Sequence, residues 1–238
     1  MPGLGTIINT AAIVVGGLLG LLFKSLLSKS MEDTLLKANS VCVLFIGIGG
    51  AMQHMLKITD GALETSGSMM LIICFVLGSI VGELLDIEGA FERFGAWLRK
   101  KTHNESDTGF LSAFIHASLT VCIGAMAIVG SIQDGLLGDS SLLCAKAALD
   151  AVIILVMTAS MGKGCIFSAI PVALLQGGVT LLSRVLAPVF TEAAIANLSY
   201  TGSVMIFCVG LNLVWGKKIK VANLLPTLVF AVLYALVF

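Results

Sequence analysis

GSIQDGLLGDSSLLCAKAALD, residues 130–150, lies between two apolar runs and yet carries three aspartates and one lysine. An ionisable side chain inside a membrane helix costs at least about 2.5–3.5 kcal/mol on insertion scales, and it usually faces a partner or a cavity. The flanking runs predict membrane helices, so these charges belong either to a transport path or to a structural pair. The charged residues are Asp134, Asp139, Lys146 and Asp150.

The composition predicts that much of the chain is in contact with lipid. Apolar residues make up 58% of the sequence and charged residues 12%, whereas soluble domains have about 45–50% and about 25%. The net charge is zero, so no general attraction to nucleic acid is expected. We therefore expect the lipid bilayer as the main solvent and no nucleic acid as a partner.

Eight segments are apolar and long enough, or nearly so, to cross the bilayer, which takes about 20 helical residues. Helices are required because the hydrocarbon core offers no water to the backbone polar groups. The sequence therefore predicts an all-α, polytopic transmembrane bundle in one integral domain, residues 1–238. The predicted spans are residues 6–24, 38–57, 69–86, 112–132, 142–160, 165–186, 199–215 and 222–238.

Basic residues are distributed unequally over the predicted connections, with 11 of the 14 on one face of the membrane. Lysine and arginine are retained on the cytoplasmic side, so this face is predicted to be cytoplasmic and both termini to lie outside the cytoplasm. Residues 87–108 form the longest connector. There Phe91, Phe94 and Trp97 alternate with charged residues, which predicts an amphipathic helix on the cytoplasmic surface. Residues 25–37 show the same pattern more weakly.

Two pairs of glycines, each spaced by four residues, form small-residue ridges on the predicted spans. Gly16 and Gly20 lie on span one, and Gly78 and Gly82 lie on span three. This spacing places both glycines on one helix face and lets another backbone approach closely. We expect these four residues to pack helices together.

Weak internal similarity accompanies the ridges. Gly50-Ala-Met-Gln53 in span two resembles Gly130-Ser-Ile-Gln133 in span four, and span seven offers Gly210-Leu-Asn212. Spans one–two, three–four and six–seven would then be repeats, and the third would run upside down relative to the first two. Inverted repeats are common in secondary transporters. The alternative is chance similarity among glycine-rich apolar segments.

Lys146 and Asp150 are spaced i, i+4 and can pair on one face of span five. In one interpretation they neutralise each other, and Asp134 and Asp139 only mark the outer membrane interface. In the other, carboxylates, amides and loosened carbonyls converge on a path for a cation or zwitterion. The candidate path residues are Asn9, Thr10, Gln133, Asp134, Asp139, Lys146 and Asp150.

A second interruption follows at the other membrane face. Glycines and a proline break the helical periodicity there, and nearby hydroxyls can satisfy the freed backbone groups. Ends of broken helices carry partial charges that bind ions. We therefore predict a broken helix or gate formed by Thr158, Ser160, Gly162, Gly164, Ser168 and Pro171.

No enzyme motif is present. The three histidines are not in a zinc-protease pattern, and neither a nucleophile elbow nor a glycine-rich nucleotide site occurs. The six cysteines lack metal-site spacing. We therefore expect no catalysis, no metal and no bound cofactor.

The chain resembles the YqgA-like family of bacterial inner-membrane proteins of unknown function. The resemblance rests on four motifs that extend over nearly the whole sequence. It implies a bacterial plasma-membrane location and a transport role, but no substrate. The motifs are Gly5-Thr-Ile-Ile-Asn9 with the following glycine ridge, Gly130–Asp139, Lys146-x-x-x-Asp150, and Asn223-Leu-Leu-Pro226.

These patterns favour a secondary transporter or permease for a small polar solute or ion, with a path among spans one, four, five and six. Asp150 and Asp134 would be proton or cation sites, Gln133 and Asn9 amide ligands, and the second interruption a gate. The alternative is a channel-like pore, or a non-transporting assembly or signalling protein. In that alternative the glycine ridges would be contacts of a homo-oligomer and the helix near Trp97 a docking element.

Overall fold

The computed structural model describes residues 2–24, 26–59, 61–105, 107–123 and 125–237. It is an all-α bundle with one small hairpin, as the sequence predicts. The helices are α1 (Leu4–Lys24), α2 (Lys29–Met55), α3 (Ser68–Leu85), α4 (Ile87–Lys101), α5 (Phe110–Cys122), α6 (Ala125–Leu137), α7 (Ser141–Met161), α8 (Ala169–Leu181), α9 (Ser183–Leu186), α10 (Glu192–Trp215) and α11 (Pro226–Val237). Two 3-10 helices, Lys163–Ser168 and Val221–Leu224, precede α8 and α11.

Within the described residues, six helical segments are long and apolar enough to cross a membrane: α1, α2, α3, α7, α10 and Lys163–Leu181, which joins the first 3-10 helix to α8. Helices α5 and α6 form a seventh candidate if the pair counts as one span, although the two are bent by 60°. The predicted span 112–132 is therefore two helices. The backbone of Ile123 is extended, with φ −80° and ψ 119°, which ends the hydrogen-bond ladder of α5. The eighth predicted span corresponds to Val221–Val237, which is shorter than the other candidates.

Local capping explains helix starts that differ from the predicted spans. Helix α2 begins at Lys29 and not near residue 38, because the Ser28 hydroxyl accepts a hydrogen bond from Met31 N. Helix α10 begins at Glu192, where Thr191 caps Ala194 N in the same way. Both helices therefore extend beyond their apolar segments. Residues 87–101 of the predicted connector form α4.

A short antiparallel hairpin, which the sequence analysis did not predict, follows α2. Its strands are β1 (Leu56–Thr59) and β2 (Ala62–Thr65), with Ile58 opposite Leu63. Gly61 has φ +82°, a conformation that glycine adopts without strain.

Three close helix pairs build the bundle. Helices α1 and α7 run in the same direction, because Gly5 lies against Leu143 and Gly20 against Leu155. Helices α2 and α10 are antiparallel. The chain end from the second 3-10 helix to α11 is antiparallel to α3. The buried core lies between the pairs and includes Phe110, Phe114, Met157 and Met205.

The glycine ridges lie inside these pairs. A Cβ atom at Gly16 would be 2.4 Å from the carbonyl oxygen of Ala151, and one at Gly82 would be 1.8 Å from that of Asn223. Gly20 and Gly78 are equally close to α7 and α11. The ridges therefore contact helices of the same chain, and they are not free for the oligomer contact that the alternative function assigned to them.

The connections gather at two ends of the bundle. One end, called the basic end below, contains Lys24, α4, residues 162–163 and residues 216–220. Contacts join these segments: Lys24 Nζ lies 3.8 Å from a Cβ atom built at Gly162, and Lys217 pairs with Glu92. The opposite end contains the hairpin, residues 138–140 and residues 182–191.

Candidate functional site

The buried ion pair of α7 is the centre of the candidate site. Lys146 Nζ lies 2.6 Å from Asp150 Oδ2 and 2.8 Å from Asp150 Oδ1. The two side chains are only 9% and 4% exposed. Because they are one turn apart on a continuous helix, the pair forms within α7 itself. Each charge is thereby neutralised in an almost fully buried position.

Lys146 donates its third hydrogen bond to the end of α5. Lys146 Nζ lies 2.9 Å from the carbonyl oxygen of Val121, which belongs to the last turn of α5. Carbonyl groups in a last helical turn lack partners within the helix and carry partial negative charge. A lysine has three N–H donors, so Lys146 uses all of them, and the break between α5 and α6 supplies one acceptor.

Helix α1 contributes Asn9 to the same cluster. Asn9 is fully buried, and its Nδ2 donates to Asp150 Oδ2 at 3.0 Å. The Gly16 contact described above brings the backbones of α1 and α7 together, so a side chain as short as asparagine reaches across. Asp150 therefore accepts from both Lys146 and Asn9.

Asp134 is a second buried carboxylate, on α6. It has no exposed surface, and its Oδ2 accepts from Gly5 N at 3.0 Å. Gly5 lies in the first turn of α1, where free N–H groups and the helix dipole favour an anion. Among the described residues, Asp134 Oδ1 has no hydrogen-bond partner.

The remaining predicted path residues lie outside this cluster. The Thr10 hydroxyl donates to Thr6 O of its own helix at 2.7 Å. Gln133 is half-buried on α6. Asp139 lies in the connection before α7, where it accepts from Ser141 N at 2.9 Å and from the Ser141 hydroxyl. These bonds lower the pKa of the Asp139 carboxyl.

The predicted second interruption is a helix end followed by a 3-10 helix. Helix α7 ends at Met161, and Gly162 has φ +100°. Gly164 packs against α5, because a Cβ atom there would be 2.2 Å from Phe110 O. Ser168 and Thr158 are fully buried, and the Ser160 hydroxyl donates to Val156 O at 3.0 Å.

Pro171 lies in the first turn of α8. A proline is tolerated there, because the first-turn N–H that it lacks would have no partner within α8.

Sequence reasoning missed a polar network at the basic end. Glu88 is 5% exposed, accepts from Ala222 N at 3.0 Å and pairs with Lys217 at 3.0 Å. Asn223 Oδ1 accepts from Glu88 N at 2.7 Å. Burial lowers the pKa of Lys217, but its bonds to Glu92 and Glu88 outweigh this and raise it. Of these residues, the sequence analysis singled out Asn223, as part of the motif Asn223-Leu-Leu-Pro226.

Among the cavities of the described chain, two lie close to the residues discussed above. One, of about 540 Å³, is lined by apolar side chains and extends from Cys122, at the end of α5, to Pro171. The other, of about 170 Å³, lies at the basic end beside Glu88, His116 and Lys217. Within the described chain, no three His, Cys, Asp or Glu side chains are grouped to hold a metal ion.

Two uncharacterised bacterial proteins are similar over nearly the whole chain. "Uncharacterized membrane protein YdfK" of Bacillus subtilis (strain 168) is 26% identical over 224 residues, which cover 94% of this chain and 92% of that protein. "Uncharacterized protein YqgA" of Escherichia coli (strain K12) is 25% identical over 235 residues, which cover 96% and 94%. No solved structure matches the chain.

The resemblance predicted from the sequence motifs is confirmed by these similarities and by a family match. The family described as "Protein of unknown function (DUF554)" matches residues 4–236. Its relatives include one protein named as a membrane protein, in agreement with the apolar helices described above. The chain is a helical membrane protein that belongs to the DUF554 family.

Proposed function

We propose that the chain is a secondary transporter or permease for a small polar solute or ion, acting in the bacterial plasma membrane without catalysis or bound nucleotide. The observation that carries this proposal is the buried Lys146–Asp150 pair, which is bonded to a helix end inside the bundle. Broken helices that expose backbone groups at membrane depth are typical of transporter sites. A purely structural pair would not require a neighbouring helix to end beside it.

The proposed path runs between α1, the α5–α6 pair, α7 and residues 163–181. Asp150 and Asp134 are its proton or cation sites, and Asn9 and Gln133 are amide ligands. Residues 162–171 are the gate at the basic end. Opening requires Lys146 to leave Val121 O or Asp150, so transport is coupled to a change at the α5–α6 break.

The predicted inverted repeat, in which spans six–seven run upside down relative to spans one–two, is supported by one helix pair. Span two corresponds to α2 and span seven to α10, and these helices are antiparallel, as a two-fold axis in the membrane plane would require. The antiparallel pairing of α3 with the chain end lies outside the predicted repeats. The unequal distribution of basic residues supports a cytoplasmic basic end, with both termini on the other side.

Cysteine accessibility tests the path. In a chain with its six cysteines replaced, Gln133→Cys and Ser168→Cys report on the two ends, and the lipid-facing Val152→Cys, at a position 63% exposed in the bundle, is the control. A transporter exposes each path position to a membrane-impermeant maleimide from either side in different states. Simultaneous labelling from both sides together with ion conductance would favour a pore. Labelling no faster than at position 152 would contradict both.

Substrate identity requires a separate experiment. Metabolite profiles of deletion and overexpression strains nominate solutes, whose uptake is then measured in vesicles containing the purified protein. Asp150→Asn should abolish coupling of uptake to a proton or cation gradient. If this variant left uptake and proton flux untouched, the assigned role of Asp150 would be wrong.

Labelling from opposite sides at positions 139 and 163 tests the orientation. Reaction of both positions from one side would contradict a membrane-crossing α7 and the proposed gate.

A further inference from the structure

The charges in the membrane core do not balance. Among the described helices α1 and α5–α8, the buried charged side chains are Lys146, Asp150 and Asp134. The first two neutralise each other at 2.6 Å. Asp134 has no counter-charge among these side chains and no exposed surface, and its one hydrogen bond comes from a backbone N–H at the start of α1. A buried carboxylate in such surroundings requires a cation or a proton.

Buried oxygen atoms without hydrogen-bond partners lie on the two helices that the Gly5–Asp134 bond joins. In the described part of the chain, the Thr6 hydroxyl, Asn9 Oδ1 and the Ser131 hydroxyl are buried and accept or donate no hydrogen bond. Thr6 and Asn9 are spaced i, i+3 on α1, and Ser131 and Asp134 have the same spacing on α6, so each pair shares a helix face. The Gly5–Asp134 bond holds the two helices together at this level.

Helix α8 adds a further ligand. Gln176 is 1% exposed, and neither of its amide atoms has a partner among the described residues. Helix α8 packs against both α1 and α6. The interface of these three helices therefore collects one carboxylate and several neutral oxygens.

We propose that Asp134, together with the oxygens of Thr6, Asn9, Ser131 and Gln176, binds a sodium ion. Carboxylate, hydroxyl and amide oxygens suit hard cations. The single negative charge matches a monovalent cation, whereas a divalent ion would leave an excess positive charge in the membrane. Asp150 does not hold the sodium ion itself, because Lys146 already neutralises its charge at 2.6 Å, and it takes part in coupling through its bond to Asn9.

This inference rests on the proposed transport function, because it identifies the coupling ion. Asn9 links the two clusters: its Nδ2 donates to Asp150, and its Oδ1 is available to the ion. An ion that draws Asn9 toward Asp134 weakens the bond to Asp150. Sodium binding would thereby loosen the pair that closes the path.

Thermal unfolding of the purified protein in detergent micelles measures binding without any transport. Sodium chloride replaces choline chloride at constant ionic strength and pH 8, and potassium chloride provides the comparison. We expect sodium to raise the Tm saturably, by about 5 °C at high concentration, and potassium to raise it much less. Asp134→Asn, which keeps an acceptor for Gly5 N, should abolish the shift.

Two milder variants keep the proposal testable if Asp134→Asn does not fold. Thr6→Val and Ser131→Ala remove one neutral ligand each and should raise the half-saturating sodium concentration about tenfold or more, since one lost ligand weakens a charge-assisted contact. The matched controls Ser79→Ala and Asp33→Asn alter exposed groups and should leave it unchanged. A Tm that depends on pH but not on sodium would overturn the proposal in favour of a proton site.

Vesicle experiments separate this proposal from the transport function. Saturable sodium binding without uptake of any solute would support the site and contradict the transporter. Uptake that is equally fast in sodium-free medium under a proton gradient would overturn the sodium site and leave the transporter intact.

Discussion

Charge is held in two different ways in the bundle core and at the basic end. Within α7, Lys146 and Asp150 are almost fully buried, and the lysine has no spare donor. At the basic end, the Lys217 side chain is 47% exposed and contacts both Glu88 and Glu92. Similar groups are thus placed in surroundings of different polarity.

The difference decides how each region tolerates change. A buried charge that loses its partner costs several kcal/mol, because no water replaces the partner. At the basic end, water and salt screen the exposed charges, so an exposed group such as Glu92 can be lost with a limited effect, and the buried Glu88 is the exception. Removing either member of the core pair therefore has a large effect on stability, whereas removing single exposed groups of the basic end lowers stability by small amounts.

The largest expected effect comes from removing one member of the core pair. Lys146→Met should destabilise the protein by about 3–5 kcal/mol, because Asp150 stays buried without its counter-charge. The double variant Lys146→Met/Asp150→Leu should recover most of this stability, because no charge is left unpaired. Unfolding in detergent micelles measures both. A single variant as stable as the parent protein would indicate that water reaches the pair.

The next effect concerns the packing that brings Asn9 to the pair. Gly16→Ala should cost about 1–3 kcal/mol, because its Cβ atom would overlap the Ala151 carbonyl and push α1 away from α7. Gly178→Ala on α8 is the matched control, since nothing lies within 4 Å of its Cβ position. It should be neutral or stabilise the protein by up to about 1 kcal/mol through helix propensity. Equal losses in both variants would contradict this explanation.

A smaller effect distinguishes Glu88 from Glu92 at the basic end, and unfolding in detergent micelles measures it. Glu88→Ala should lower the free energy of unfolding by about 1–3 kcal/mol, because it leaves Ala222 N buried without its acceptor. Glu92→Ala, at a side chain 42% exposed, should cost less than about 1 kcal/mol, and less still in high salt. Glu88→Gln keeps an acceptor and should lie between them. Equal costs for Glu88→Ala and Glu92→Ala would show that burial does not distinguish the two positions.

The smallest effect is a pH-dependent one at Asp86. The hydrogen bond from Arg93 lowers the pKa of this carboxyl, so the pair stabilises the fold above the ordinary carboxyl pKa of about 3.9 and loses this effect as the pH falls through the lowered value. Asp86→Asn keeps the cap on Gly89 N. It should therefore be slightly less stable than the parent at pH 7, with a difference that shrinks below about pH 4. A difference independent of pH would contradict the ion-pair origin.

Much of the fold could be predicted from the sequence because lipid imposes a strong pattern on it. Apolar segments of about 20 residues predict helices without reference to neighbours. The apolar pattern does not predict where a helix bends or how far it extends beyond its apolar segment. The bend between α5 and α6 lies inside an uninterrupted apolar run, and α2 gains polar turns because Ser28 caps it. The hairpin has too few residues for a strand pattern to be distinctive.

The candidate site was predictable where the signal was local. Lys146 and Asp150 are spaced to pair on any helix, so their geometry follows from the sequence. The partners Val121 and Gly5 contribute only backbone atoms. Because every residue has these atoms, the residue type does not predict such contacts. Gln176 is an isolated polar residue in span six, and this isolation is a sequence signal by which it could be found. Glu88 lay in a charged connector where an exposed role is the ordinary expectation.

The one-turn spacing of the core pair also matters for biogenesis. Helices enter the bilayer largely as separate segments before they pack, and α7 carries both charges of its pair. Lys146 and Asp150 can therefore meet before α1 or α5 is in place, and α7 enters lipid as a locally neutral segment. Helices α5 and α6 have 13 residues each, too few for either to cross alone. We expect α7 to insert early and the α5–α6 pair to pack against it afterwards, when the Val121 carbonyl accepts its hydrogen bond from Lys146.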